Sequence, residues 1–343
     1  MLESVGPALL ILDYEMPDLN GAELCALVRQ NPRPEIAEIP ILLVTAHSGV
    51  ENELECLAAG ADDFVTKPVN STVLKARINT HLRLYELRRQ LQRQNDELKR
   101  YRAEIEMDLE SARLTQLAII PTRMPEFPGW DLAAWMKPLI QVGGDIYDLR
   151  RLPDGGLLLW ISDATGHGTS AALLTTLSKL LFRHACAEEA SPAAILDIVH
   201  REFLAVFKGK TYMTACCVVL YPTTGKIVVS GAGHPPVLIK RASGGTSILG
   251  SSAPPIGVPI DFPLTDERAE LESGDALLIH TDGLYDVAAP GRLRLTPESL
   301  ALLLPETTSS AQEFLDRVIG NVRNHCKGAP FSDDVAAIAA LKL

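Results

Sequence analysis

The sequence of 343 residues contains no uninterrupted apolar run of membrane-spanning length, and no cationic leader followed by an apolar stretch opens it. Both absences predict a soluble, cytoplasmic protein with no membrane partner. There is no basic surplus either: 32 Lys and Arg stand against 43 Asp and Glu, a net charge of -11. That balance argues against a mainly electrostatic attachment to nucleic acid or an anionic bilayer. Cysteine is sparse and unpatterned. The six, Cys25, Cys56, Cys186, Cys216, Cys217 and Cys326, form no CxxC pair and predict reduced, buried thiols. What is plentiful is apolar character, at 47% of residues, enough for two domains and a connector.

The first segment, 1–82, alternates strand-like and helix-like runs at 8–12, 22–30, 39–44, 50–59, 63–65 and 71–84. This is the pattern of a doubly wound parallel α/β sheet, in which ligands bind beyond the carboxyl ends of the strands. Asp13, Thr45 and Lys67 all fall there. The stretches Leu12-Asp13-Tyr14-Glu15-Met16-Pro17, Val44-Thr45-Ala46 and Thr66-Lys67-Pro68 resemble the response-regulator receiver family. The resemblance implies that Asp13 accepts a phosphoryl group from a histidine kinase, that Thr45 hydrogen-bonds it and that Lys67 balances its charge. A receiver begins with a strand, an acidic pair that holds Mg²⁺, a helix, a second strand and a second helix; none precedes Met1, and Met1 to Ser4 resembles the tail of that second helix. Without the acidic pair Asp13 is a poor Mg²⁺ site. The segment is thus expected to be an N-terminally truncated receiver, through a start assigned too late or as a structural or dimerising remnant.

The second segment, 83–118, is highly charged and carries Leu84, Leu91, Leu98, Ile105 and Ala112 at seven-residue spacing. A second row, Leu87, Gln94, Tyr101 and Asp108, is weaker. This predicts a coiled-coil linker and a homodimer, with a solvated spacer helix as the alternative.

The third segment, 119–343, predicts an α+β domain, with strands near 157–162, 214–221, 226–230, 237–240, 276–280 and 335–341 and helices near 170–187, 192–207, 297–304 and 311–325. Four acidic motifs sit where apolar runs stop: Gly143-Gly144-Asp145, Asp163-Ala164-Thr165-Gly166-His167-Gly168, Thr281-Asp282-Gly283 and Ser332-Asp333-Asp334. Carboxylate donors suit Mg²⁺ or Mn²⁺, and two such ions can activate a hydroxide for in-line displacement at phosphorus. With Ala232-Gly233-His234-Pro235-Pro236, these motifs resemble, in order, the metal-dependent protein phosphatases of PPM type, in their SpoIIE-like branch. The resemblance implies a β-sandwich flanked by helices and a dinuclear Mn²⁺ or Mg²⁺ centre. Asp145, Asp163, Asp282 and Asp333 would be its catalytic ligands, with the carbonyl of Ala164. It further implies hydrolysis of phosphoserine or phosphothreonine on a protein, typically an anti-anti-sigma factor. Ala336, Gly231 and Asp286 depart from the family's usual Thr, Asn and Glu. Asp334 is the alternative to Asp333 as ligand, and Asp148 is expected to be supporting. His167 and His234 are expected to be turn residues, and Cys216-Cys217 to be core. A second reading is a dimeric binding adaptor whose phosphatase fold is silent.

Overall fold

The computed structural model describes residues 6–46, 50–139, 141–166, 168–250, 253–287 and 295–343; the Met1 to Ser4 helix tail and His167 lie outside them. The described chain divides into two compact units, Met1–Glu104 and Ile105–Leu343.

In the first unit, β1 (Leu10–Asp13), β2 (Ile41–Thr45) and β3 (Asp63–Thr66) form a parallel sheet in that order. Three helices, α1 (Gly21–Arg29), α2 (Pro34–Ala37) and α3 (Val50–Ala58), link the strands. Helix α1 starts cleanly because Asn20 and Glu23 close a capping box. Gly21 is required there: a Cβ would come within 2.4 Å of the Asp13 carbonyl. Ile41, Leu43, Cys25, Val28 and Cys56 form the small core.

Helix α4 (Ser71–Ile119) is continuous, so no break separates the expected last receiver helix from the expected linker. On it Leu84, Leu91, Leu98 and Ile105 are 58%, 67%, 66% and 58% exposed.

The second unit holds two antiparallel five-stranded sheets. One has the order β10-β9-β12-β13-β4, from β10 (Thr246–Leu249), β9 (Val237–Lys240), β12 (Ala276–His280), β13 (Val335–Lys342) and β4 (Trp130–Lys137). The other runs β11-β8-β7-β6-β5, from β11 (Glu267–Glu270), β8 (Lys226–Ala232), β7 (Met213–Leu220), β6 (Leu157–Ala164) and β5 (Asp145–Arg151). Helices α5 (Thr169–Glu188) and α6 (Pro192–Phe207) follow β6, while α7 (Pro297–Ala301) and α8 (Ala311–His325) precede β13.

Strand alternation divides the apolar residues between two cores. In β13, Ala336, Ile338 and Ala340 join the cluster that includes β6 and β7, whereas Val335, Ala337, Ala339 and Leu341 join the cluster of α7 and α8. In β6, Trp160 stacks on Phe182 of α5 at 4.0 Å between ring centroids, so its even-numbered residues face helix and its odd-numbered ones, ending at Asp163, face the other sheet. Cys216 and Cys217 lie buried in β7, as expected of core, and none of the six cysteines is in a disulfide. No helix among the described residues is long and apolar enough to cross a membrane.

Candidate metal centre

Antiparallel register builds the centre. Asp145 opens β5 and lies directly opposite Asp163 near the end of β6, on the inter-sheet face. Two like charges at a cross-strand pair repel, and burial removes the water that would screen them. Asp145 is only 2% exposed, and its carboxyl is held well above the usual carboxylate range by desolvation and then by Asp163. Asp163 is pushed up to about 7 by desolvation and then by Asp282, Asp333 and Asp334. Asp282 starts the short 3-10 turn Asp282–Leu284 after β12, and burial, Asp333 and Asp286 raise it as well.

The backbone closes tightly around this group. A Cβ on Gly144 would lie 2.4 Å from the Ala164 carbonyl, 3.2 Å from Asp163 Oδ1 and 3.3 Å from the Gly166 carbonyl. Three oxygens thus border a cradle that any side chain would fill. Asp334 is turned to the backbone: one of its carboxylate oxygens accepts from Leu139 N–H at 2.6 Å and the other from Gly144 N–H at 2.7 Å. Asp333 is exposed, accepts from Asp334 N–H, and contributes to the shifts of both Asp163 and Asp282.

All donors are oxygen, and no Lys, Arg or His contributes to the shifted pKa of Asp145, Asp163 or Asp282. That donor set and charge excess fit hard divalent cations. Among the described residues, no three His, Cys, Asp or Glu side chains make a ready cage.

Two contributors escaped the sequence reading. Thr281 donates its hydroxyl to Asp145 Oδ2 at 2.7 Å; it sits inside a motif singled out for its aspartate. Gln116, in the last turn of α4, donates to the Gly143 carbonyl at 2.8 Å and to Thr175 Oγ1 at 3.1 Å, and accepts from Gly143 N–H at 3.3 Å. No sequence signal marked Gln116 among the other polar residues of that helix. Asp148 pairs with Lys179 of α5 at 2.9 Å, a supporting contact. His234 is buried, bonded to Thr214 Oγ1 at 2.7 Å and pushed down to about 3 by burial and His280, so it is neutral.

In the first unit, Lys67 Nζ lies 2.6 Å from Asp13 Oδ2, and this bond lowers the carboxyl below its usual range. Thr45 is buried at the end of β2, and the Lys67–Pro68 peptide is cis.

Residues 153–341 match the profile of Stage II sporulation protein E (SpoIIE), and residues 1–79 match that of the response regulator receiver domain. The chain belongs to the SpoIIE family. Its SpoIIE segment carries a receiver domain ahead of it. Protein IcfG of Synechocystis sp. is 25% identical over 263 residues, which are 69% of this chain and 42% of that protein. Phosphoserine phosphatase RsbP of Bacillus subtilis is 25% identical over 198 residues, 57% of this chain and 48% of RsbP. The chain therefore matches less than half the length of either relative. In fold, it is similar to the SiaA-PP2C domain of Pseudomonas aeruginosa, with a TM-score of 0.60 and 23% identity over 71% of this chain and 98% of that one.

Proposed function

We propose that the SpoIIE segment hydrolyses phosphoserine or phosphothreonine on a protein, with two Mn²⁺ or Mg²⁺ ions held by Asp145, Asp163, Asp282, Asp333 and the Ala164 carbonyl. The observation that carries this is the buried Asp145 facing the half-buried Asp163 across β5 and β6, both carboxyls raised by desolvation and by neighbouring aspartates. Such a couple is expensive without a cation and useful with one. When bound, the ions supply Lewis-acid polarisation of the phosphoryl group and a nucleophile at neutral pH. The chain does the positioning. Thr281 and Asp334 fix Asp145 and the Gly143-Gly144 turn, and Gly144 admits the Ala164 carbonyl.

A phosphorylated protein is the substrate class we assign to this site. RsbP, a relative described as a phosphoserine phosphatase, supports the same direction; an anti-anti-sigma factor is the substrate we assign. The arrangement of units is a receiver at 1–82, a dimerising coiled coil at 83–118 and a catalytic domain at 119–343. If the truncated receiver is competent, Asp13 takes the phosphoryl group from a histidine kinase, with Thr45 and Lys67 as its switch pair, in the cytoplasm where the six cysteines, none in a disulfide, stay reduced. A small-molecule phosphodonor should label the chain and fail to label Asp13→Asn; equal labelling of both removes Asp13 from that role.

Hydrolysis of an aryl phosphate and of a phosphoserine peptide with Mn²⁺, with chelator, and with Asp282→Asn tests the catalytic reading. Turnover should require Mn²⁺ and fall by about 100-fold or more in the variant. Absence of turnover in every sample would leave the silent adaptor as the better description.

A further inference from the structure

Thr281 has a geometry that its sequence position does not announce. Its backbone N–H donates to the Ala336 carbonyl at 3.0 Å, and its hydroxyl oxygen accepts from Ala336 N–H at 2.9 Å. That leaves one hydroxyl proton and two acceptors within reach, Asp145 Oδ2 at 2.7 Å and the Ala336 carbonyl at 3.3 Å. The shorter bond, to the Asp145 carboxyl oxygen, wins. Thr281 is fully buried and follows β12 in one sheet, whereas Asp145 opens β5 in the other. The hydroxyl therefore spans the sandwich and ties one oxygen of Asp145, leaving the second as the free donor. His280 adds direction from behind: its Nδ1 lies 3.1 Å from the Thr281 carbonyl, an acceptor, so that nitrogen carries the proton.

We infer that Thr281 is a positioning residue that sets which oxygen of Asp145 is offered to a divalent cation, and so sets the affinity of the centre. This rests on the metal-centre reading above. Hydrogen bonds behind a ligand orient it and hold it ionised, and their loss commonly lowers metal affinity by about 10–100-fold. A valine keeps the shape of threonine and removes the hydroxyl, whereas a serine keeps the hydroxyl.

The test is Mn²⁺ binding to the full chain by electron paramagnetic resonance and calorimetry, for wild type, Thr281→Ser, Thr281→Val, Asp145→Asn and the Thr281→Val, Asp145→Asn pair, with near-UV circular dichroism to confirm folding. Thr281→Val should bind Mn²⁺ about 10-fold or more weakly, Thr281→Ser should stay within about 3-fold of wild type, and Thr281→Val should add no loss in the Asp145→Asn background. Wild-type affinity in Thr281→Val, a loss in Thr281→Ser equal to that in Thr281→Val, or an undiminished loss in the Asp145→Asn background each overturns the role. If Thr281→Val does not fold, the serine variant still decides, since a loss there removes the hydroxyl from the argument. Failure of wild type to bind Mn²⁺ at all would instead overturn the metal-centre reading, and this inference with it.

Discussion

At the scale of single residues, the centre is a balance between repulsion and need. Asp163 is pushed up to about 7, first by burial and then by Asp282, Asp333 and Asp334. The folded chain thus keeps a proton there that the unfolded chain, near 3.8, gives up earlier. The sign follows from linkage: the contribution to stability is full below the unfolded value and is lost as pH rises through about 7. In chelator, wild type should lose thermal stability between about pH 4 and about pH 7 more steeply than Asp163→Asn. Thermal scans in that window check it, and parallel curves would count against the buried charge. The same substitution should stabilise the metal-free chain at neutral pH while removing activity, the trade expected where function demands unfavourable charge.

Secondary-structure elements carry the support. The last turn of α4 reaches the centre through Gln116, which satisfies both the N–H and the carbonyl of Gly143. Gln116→Ala leaves those buried groups unpaired, at a cost of about 1–3 kcal/mol, and frees the turn that presents Asp145. Thermal unfolding and Mn²⁺-dependent turnover should fall together, with turnover falling further; unchanged turnover would show that the turn needs no clamp. At this scale the sequence was only partly legible. The strands it did not show, β4, β5, β10 and β11, are the four sheet edges. Edge strands face solvent and carry charge, as in Asp145-Ile146-Tyr147-Asp148-Leu149-Arg150-Arg151 and Glu267-Arg268-Ala269-Glu270, so they lack the apolar run that marks β6, β7, β12 and β13. Central strands are buried on both faces and read plainly.

For the whole molecule, the governing feature is the exposed apolar row on α4. Leu84, Leu91 and Leu98 at 58%, 67% and 66% exposure are costly in a lone helix and are covered by a second copy in the dimer we propose. Charge fits a parallel pairing at one layer, where Glu97 of one copy would meet Arg102 of the other, at g and e positions of the Leu84 heptad frame. Sedimentation equilibrium should find a dimer for wild type and a monomer for the chain carrying Leu91→Lys and Leu98→Lys. A monomeric wild type would leave α4 a spacer.

The sequence by itself determined the order of the two folds, the helix between them and the identity of the acidic motifs, because heptads, apolar strands and strand-end aspartates are local patterns. Tertiary structure alone decided how the acidic motifs of the second unit meet. The β5 and β6 register set Asp145 against Asp163, while residues far apart in the chain supplied their supports: Gln116 behind Gly143, Thr281 behind Asp145 and Asp334 beneath Gly144. Those bonds join residues separated by 27, 136 and 190 positions. No periodicity encodes such distances; only the packing of one sheet on the other brings a hydroxyl to a carboxylate.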